Sequence, residues 1–239
     1  MLNVQNLTKI FTLDKQKITA IENVNFTVET GEFFTLLGPS GCGKSTLLRI
    51  LANVEKPTSG KIEWTDHPNI GFVFQNYALF PYLTTFENIA FGLKMQGVNA
   101  RKRHETVKEL IKEMGLEGFE DKHPKELSGG MKQRVGIARS LAIDPNVLLL
   151  DEPFSSLDEF TAESLRKLLL SIWHKRNMTI ILITHLIREA LELSDRITVM
   201  THSPGTIEKI LDNTLKRPRN VRSPDFFAME DRLVKLIKD

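Results

Sequence analysis

The segment GPSGCGKST (residues 38–46) restricts the possible folds of this chain more than any other. It matches the pattern G-x-x-x-x-G-K-[ST] in full, follows the apolar run FFTLL and precedes the helical pattern STLLRILA. Glycines let backbone amides turn towards an anion without steric conflict, and the amino end of the following helix adds positive potential. The sequence therefore predicts a strand–loop–helix unit that binds phosphate.

Individual residues of this loop have the chemistry to hold a nucleoside triphosphate. Lys44 is expected to reach the β- and γ-phosphates and assist catalysis, and the Ser45 hydroxyl is expected to bind Mg²⁺. Cys42 is the only cysteine, so no internal disulfide can form, and we expect it to be a small backbone-donating position. The alternative is an ordinary glycine-rich turn. The nucleotide-binding residues expected here are Gly38, Ser40, Gly41, Cys42, Gly43, Lys44, Ser45 and Thr46.

The apolar runs along the chain predict a mixed α/β fold. IGFVF, NVLLL, TIILIT and RITVM are nearly all apolar, which is typical of parallel strands buried on both faces. VNFTVE (24–29) alternates apolar and polar residues, and with the segments 2–11 and 61–64 it predicts an antiparallel sheet.

Helical patterns dominate the middle of the chain. Residues 86–140 lack a strong strand pattern, which indicates a helical insertion between two strand-rich parts. RKRHETVKELIKEMGL (101–116) has apolar residues at helical spacing, and Gly115 is expected to end this helix. The basic, proline-containing segment 215–226 predicts an extended surface segment.

The bulk composition is that of a globular protein. The 239 residues are 41% hydrophobic and carry a net charge of +2, which does not support a nucleic-acid-binding surface, so no nucleic-acid partner is expected. No apolar run approaches the roughly 18 residues of a membrane span. The first residues show no signal-peptide pattern, and the single cysteine fits a reducing cytosol.

Two carboxylates follow the buried run NVLLL. Asp151 is well placed to orient Mg²⁺, and Glu152 to polarise the attacking water, because ligands bind at the carboxyl ends of strands in open α/β sheets. The alternative is that both acids cap the following loop.

Gln75 and His185 also follow apolar runs, and we expect Gln75 to reach the metal and His185 the γ-phosphate. A purely structural role is the alternative for His185.

These segments occur in an order that resembles the ATP-binding cassette ATPases. The order is the phosphate loop, FVFQN, LSGGMKQRVGIARSL, NVLLLDEP, SSLD and ITH, and the resemblance covers essentially the whole chain. The LSGGMKQ signature is highly specific.

The resemblance implies an α/β fold with a P-loop NTPase (RecA-like) core, an N-terminal antiparallel β-subdomain and an inserted α-helical signature subdomain. The implied ranges are 1–85 (antiparallel β and first part of the core), 86–140 (helical subdomain with the signature), 141–215 (second part of the core) and 216–239 (C-terminal tail).

The resemblance also implies roles for single residues. Phe11 is expected to stack on adenine with Ile18 nearby, and a core aromatic is the alternative for Phe11. Gln75 resembles the glutamine that binds the metal and senses the γ-phosphate, and His185 resembles the switch histidine. The residues expected to act on the nucleotide of a second chain are Ser128, Gly129, Gly130, Gln133 and Asp158. Two copies of the chain would sandwich two ATP and Mg²⁺ head to tail, and closure would permit hydrolysis.

A single cassette without a membrane span resembles the separate ATPase subunit of a bacterial or archaeal importer, held peripherally at the cytoplasmic face of the cell membrane. Segment 76–93 is typical of importer ATPases, where it receives the coupling helix of a permease. A substrate-binding protein would be an indirect partner. Acting on DNA or ribosomes is the alternative function. A switch without turnover is a third interpretation, which Glu152 and His185 oppose.

The segments DEPFSSLDEFT and LKRPRNVRSPDF most resemble the nitrate, sulfonate and taurine importer group. Three residues depart from that group. Leu186 stands where an acidic residue is usual, Ser156 where alanine is usual, and Ala162 where arginine is usual. These departures leave the nucleotide chemistry intact, whereas the transported compound is selected by other subunits.

Overall fold

The computed structural model describes residues 1–13 and 16–238. Its strands are β1 (Leu2–Leu13), β2 (Gln16–Val28), β3 (Phe33–Leu37), β4 (Ser59–Trp64), β5 (Ile70–Val73), β6 (Val147–Asp151), β7 (Thr179–Thr184), β8 (Arg196–Met200) and β9 (Ile207–Asp212). Its helices are α1 (Lys44–Leu51), α2 (Thr85–Met95), α3 (Ala100–Glu113), α4 (Gly129–Ala142), α5 (Glu159–Arg176), α6 (Ile187–Leu193) and α7 (Pro224–Lys238), and a short 3-10 turn covers Pro124–Glu126. In the part of the chain that is described, no helix combines the length and apolar character needed to cross a membrane.

The chain is organised as two compact units. The first comprises residues 1–67 and 179–239, and the second comprises residues 68–178. The stretch 86–140, for which the sequence predicts a helical insertion, lies in the second unit and contains α3 and most of α2 and α4 without a strand. The four ranges implied by the resemblance stay a prediction.

The first unit contains a three-stranded antiparallel sheet in the order β2–β1–β4. Val4 of the central strand pairs with Phe26 on one side and with Ile62 on the other. Buried and exposed side chains alternate along the second half of β2, as expected for a strand with one face in the core. The antiparallel sheet predicted from three N-terminal segments is therefore confirmed.

The remaining strands of the first unit follow the order β7–β3–β8–β9. β3 runs parallel to β7 and β8, and β9 is antiparallel to β8. All residues of β3 and β7 are buried, which explains why both segments are almost entirely apolar. Leu37 pairs with Thr184 at the carboxyl ends of β3 and β7, so the segments that begin at Gly38 and His185 leave the same edge of the sheet.

The C-terminal tail departs from its prediction. The sequence predicts an extended surface segment over 215–226, but α7 begins at Pro224, and Phe226 is only 2% exposed. Phe226, Met229 and Leu233 recur at helical spacing and pack against apolar residues of α6 and β8. The prediction is wrong from Pro224 onward, because proline at the first helical position starts a helix rather than preventing one.

The basic residues of the tail also have a structural role. Arg219 donates hydrogen bonds to the carbonyl oxygens of Leu191 (2.8 Å) and Glu192 (3.1 Å), at the end of α6. Burial, and then the positive charge of Arg217, lower the pKa of Arg219 to about 10. The last carbonyls of a helix lack partners within it and carry partial negative charge, so these guanidinium donors complete α6.

The second unit joins the parallel pair β5–β6 to helices α2–α5. Polar side chains define where its helices start. Thr84 caps α2, Ser128 caps α4 and Asp158 caps α5, each accepting a hydrogen bond from a backbone amide of the first turn. Helix α3 ends at Glu113, and Gly115 follows with a φ of 63°, so the predicted end of this helix is confirmed.

Candidate nucleotide site

The phosphate loop connects β3 to α1, which is the strand–loop–helix context that the sequence predicts. Gly43 has a φ of 92°, and a Cβ at this position would lie 2.5 Å from the carbonyl oxygen of Ala20. Gly41 has a φ of 80°. Both the backbone conformation and the close approach of β2 therefore require glycine in the second half of the loop.

Lys44 is the first residue of α1, and it is only 4% exposed. Its Nζ donates hydrogen bonds to the carbonyl oxygens of Gly38 (2.8 Å) and Pro39 (2.7 Å). These acceptors are neutral, and within residues 1–13 and 16–238 no carboxylate forms an ion pair with Lys44. The ammonium group therefore lies inside the loop with its charge uncompensated, which favours a phosphate ligand.

Cys42 is 1% exposed, and its Sγ lies 3.8 Å from Nζ of Lys44. Burial raises the pKa of the Cys42 thiol, against the smaller opposing effect of the Lys44 charge. A protonated, enclosed thiol is a poor nucleophile. The backbone-donating role expected for this residue stays a prediction.

Gly205 is a neighbour of the phosphate loop that sequence reasoning missed. A Cβ at this position would lie 1.9 Å from the carbonyl oxygen of Cys42. The Gly205 amide donates to the carbonyl of Ala20, and its own carbonyl accepts from the amide of Glu22, both at 3.0 Å. Gly205 therefore joins the phosphate loop to β2. The one signal in the sequence is an isolated glycine in the turn SPGT, which does not reveal what it contacts.

His185 follows β7 directly and is exposed at the edge of the sheet where the phosphate loop begins. The residues around it are fixed by a local network. The Thr184 hydroxyl donates to Oε2 of Glu189 (2.5 Å) and accepts from the amide of Leu186 (3.0 Å). Because Glu189 is 4% exposed and belongs to α6, this network ties the turn after His185 to a buried part of that helix.

Phe11 and Ile18 are directly opposite each other on β1 and β2. Ile18 is 47% exposed and Phe11 is half-buried, so neither side chain belongs to the core. Nζ of Lys9 lies 4.7 Å from the centre of the Phe11 ring. The pair forms an apolar surface open to solvent, which favours the stacking role of Phe11 over a core aromatic.

Gln75, Asp151 and Glu152 lie in the second unit at the carboxyl ends of β5 and β6: Asp151 is the last residue of β6, Glu152 follows it, and Gln75 lies two residues beyond β5. Asp151 is 5% exposed. The side-chain amide of Gln75 donates to Oε2 of Glu152 across 3.4 Å. Glu152 has a φ of 45°, an uncommon conformation for a residue with a side chain. Backbone strain of this kind often occurs at functional sites.

The signature residues Ser128, Gly129 and Gly130 form the turn that opens α4. The Ser128 hydroxyl accepts a hydrogen bond from the amide of Met131 at 3.3 Å. A Cβ at Gly130 would lie 2.5 Å from Cγ2 of Thr161. This close contact with α5 is the physical reason for glycine at this position.

Asp158 and Gln133 differ in how far their side chains are exposed. Asp158 is exposed and caps α5, and its hydrogen bonds with Thr161 lower its pKa, so its carboxylate is both accessible and ionised. Gln133 is 0% exposed, and neither its amide nitrogen nor its amide oxygen has a hydrogen-bond partner in the described structure. A side chain without exposed surface cannot contact the nucleotide of a second chain, so we correct that assignment for Gln133.

A family model described as ABC transporter matches residues 21–155, more than half of the chain. The chain belongs to the ABC transporter family. Its predicted family is therefore confirmed.

Curated relatives extend the similarity over the full length of the chain. An uncharacterized ABC transporter ATP-binding protein of Methanocaldococcus jannaschii is 46% identical, over 100% of this chain and 91% of the relative. The aliphatic sulfonates import ATP-binding protein of Bacillus thuringiensis is 44% identical, over 98% and 94%. The nitrate import ATP-binding protein of Synechocystis sp. is 41% identical, over 99% and 95%. The predicted resemblance to the nitrate and sulfonate importer group is confirmed.

Solved structures give the same result for the fold. A dimeric ATP-binding cassette in a post-hydrolysis state, bound to ADP and phosphate, has a TM-score of 0.80 and 34% sequence identity. The similarity covers 89% of this chain and 99% of that chain. The predicted α/β fold of the P-loop NTPase type is therefore confirmed.

Proposed function

We propose that this chain is the ATP-hydrolysing subunit of an ABC importer, which pairs head to tail with a second copy of itself and drives uptake of a small solute. One observation carries the proposal: two separate glycine turns of the chain each open a helix. The first turn encloses the ammonium group of Lys44, which is bonded to neutral carbonyl oxygens and so favours a phosphate ligand. The turn 128–130 opens a second helix, whose first amides can also bind an anion. The second turn is therefore half of a partner's site.

Mg²⁺ would be held by oxygen atoms of Ser45, Gln75 and Asp151. A hydroxyl, an amide carbonyl and a carboxylate are the hard oxygen ligands that Mg²⁺ prefers. The Asp151 carboxyl is nearly buried at the end of β6, which restricts its direction. When bound with the nucleotide, Mg²⁺ supplies positive charge that stabilises the phosphate oxygens.

Hydrolysis would use Glu152, Lys44 and His185. Glu152 accepts the proton of the attacking water as general base. Lys44 binds the β- and γ-phosphates, and His185 contacts the γ-phosphate. Phe11 stacks on the adenine beside Ile18, using the exposed apolar surface that the pair forms. Closure of the dimer excludes bulk water and completes the site.

The partner's nucleotide would be contacted by Ser128, Gly129, Gly130 and Asp158. Ser128 and Asp158 are both exposed, as such a role requires. Both also cap helices, so their side chains are held in defined directions. Gln133 is not part of this proposed contact surface, because it is buried.

A permease is the proposed membrane partner, with the chain bound at the cytoplasmic face of the membrane. Segment 76–93 presents aromatic side chains, among which Tyr82 is 71% exposed, and it is the proposed contact. The sulfonate and nitrate importer relatives support uptake of a small solute of the nitrate, sulfonate or taurine type. A substrate-binding protein would deliver that solute to the permease.

The test of this proposal is the substitution Glu152→Gln. Without a general base, ATP should still bind while hydrolysis falls by at least about 100-fold, the lower end of what a general base contributes. The slow variant should accumulate as the closed dimer when Mg²⁺ and ATP are present. Size-exclusion chromatography with and without nucleotide measures the dimer, and phosphate release measures turnover.

Glu208→Gln is the matched control, because Glu208 is an exposed carboxylate on β9. It should hydrolyse ATP and elute as the unmodified protein does. A Glu152→Gln protein that stays monomeric with ATP and turns over at the normal rate would rule out the proposed role of Glu152.

A further inference from the structure

Tyr77, two residues beyond Gln75, has an unusual backbone conformation. Its φ is 60°, and that of Ala78 is 46°. Left-handed conformations are unfavourable for residues that have a Cβ, and two in succession persist only when surrounding contacts impose them. The structure shows which contacts do so.

Arg139 of α4 holds this turn from one side. Its Nη1 donates to the carbonyl of Ala78 at 2.7 Å, and its Nη2 donates to the carbonyl of Tyr77 at 3.1 Å. The guanidinium carbon lies 5.7 Å from the centre of the Phe80 ring. Burial lowers the pKa of Arg139, as expected for a group largely removed from water. The turn after Gln75 is therefore attached to the helix that the signature opens.

The Tyr77 side chain makes a second connection. Its hydroxyl shares a hydrogen bond of 2.8 Å with the hydroxyl of Ser156. A Cβ at Gly129 would lie 3.2 Å from the same hydroxyl oxygen. The Tyr77 hydroxyl is therefore also a neighbour of the first glycine of the signature. Ser156 lies between Glu152 and Asp158 in the chain.

We propose that Tyr77 is a positioning residue that couples the loop of Gln75 to the signature turn and to the loop of Asp158, through its hydrogen bond with Ser156. The inference rests on the proposed function, because Gln75 senses the chain's own nucleotide whereas Asp158 and the signature act on the partner's nucleotide. In this proposal Tyr77 acts through the residues that it contacts, and it binds neither the phosphates nor the metal.

This arrangement predicts cooperation between the two sites of the dimer. A change at Gln75 when the γ-phosphate binds moves the Tyr77 turn, and the hydrogen bond passes the movement to Ser156 and Asp158. The partner's site then changes with the state of the first site, which is the condition for positive coupling between ligands. Without the hydrogen bond, each site should respond more independently.

The experiment compares Tyr77→Phe, Ser156→Ala and the double variant by steady-state ATP hydrolysis. Each single change removes the same hydrogen bond and should lower kcat about 3- to 10-fold, the size expected for one hydrogen bond. The Hill coefficient for ATP should fall towards 1, while the Kd for ATP stays unchanged and the Tm falls by no more than about 4 °C. The double variant should be no worse than either single variant, because the bond can be lost only once.

Two further variants separate positioning from general damage. Ser156→Thr keeps a hydroxyl group and should restore much of kcat and the Hill coefficient. Ser171→Ala removes an exposed serine hydroxyl from α5 and should behave as the unmodified protein does.

Two results would overturn the inference. One is single variants with normal kcat and Hill coefficient. The other is a double variant whose loss equals the product of the two single losses. If the unmodified protein hydrolyses no ATP, or Glu152→Gln hydrolyses normally, the proposed function fails with it, whereas failure confined to the Tyr77 and Ser156 variants leaves that function standing.

Discussion

The contacts of Gly205 show how a single residue can act on the phosphate loop from a distant part of the chain. It lies in the turn between β8 and β9, yet its backbone is pressed against the carbonyl of Cys42. Its hydrogen bonds to β2 fix this position, so the turn cannot retreat without breaking them. The conformation of the loop therefore depends on the absence of a side chain at Gly205.

Gly205→Ala tests this dependence. A Cβ placed 1.9 Å from the Cys42 carbonyl oxygen forces the backbone to move, and overpacking of this kind costs about 1–3 kcal/mol. We expect a lower free energy of unfolding in urea and weaker ATP binding by titration. Gly136→Ala is the control, because its added Cβ would lie 3.4 Å from its nearest neighbour, the Tyr77 carbonyl. Equal stability of the two variants would contradict this account.

Helix α7 is the element whose role the sequence leaves least apparent. Its apolar stripe completes a cluster that includes Leu37, the last residue of β3, and Leu191 of α6. Since β3 leads into the phosphate loop and α6 follows His185, the tail packs against the elements that position these two segments of the proposed site. The tail is thus part of the core of that unit.

Phe226→Ala tests the docking of α7. Phe226 is 2% exposed, and truncating a buried phenylalanine costs about 3–5 kcal/mol through lost burial and a cavity. The adjacent Phe227 is 52% exposed, so Phe227→Ala should change the free energy of unfolding by less than about 0.5 kcal/mol. Chemical unfolding of the two variants measures the difference. Similar losses for both would mean that α7 does not dock as described.

At the scale of the whole molecule, the proposed function needs two chains, because each chain supplies one half of each nucleotide site. In this proposal, Lys44 belongs to the half that would hold the chain's own phosphates. Ser128 would belong to the half offered to the partner. If one chain of a dimer is changed in the first half and the other chain in the second half, one nucleotide site keeps both halves unmodified. Such a mixed dimer should therefore recover part of the ATP hydrolysis.

Ser128→Arg and Lys44→Ala test this arrangement. Each variant alone should lose at least about 100-fold in kcat, as when one stabilising group of an active site is removed. Ser128→Arg should still bind ATP, because its own phosphate loop is intact. A mixture of the two variants should recover part of the activity, since a mixed dimer has one site with both halves unmodified.

The measurement is phosphate release from each variant and from the mixture at the same total protein concentration. Activity of the mixture equal to the average of its components would contradict the shared site. Normal hydrolysis by Ser128→Arg alone would contradict it as well.

The sequence by itself determined the features that depend on neighbours along the chain. The strand–loop–helix context of the phosphate loop, the nearly all-apolar strands and the end of α3 at Gly115 follow from local steric and hydrogen-bonding rules, and the structure bears these out. The family followed from the order of several such segments.

Only the tertiary structure decided which residues meet across long separations. Gly205 against Cys42, Tyr77 against Ser156, and the burial of Phe226 and Gln133 depend on how strands and helices pack. Sequence periodicity gives the face of an element on which a residue lies, but not the partner that the fold brings to that face. The physical reason is that packing contacts form between elements, whereas sequence patterns describe one element at a time.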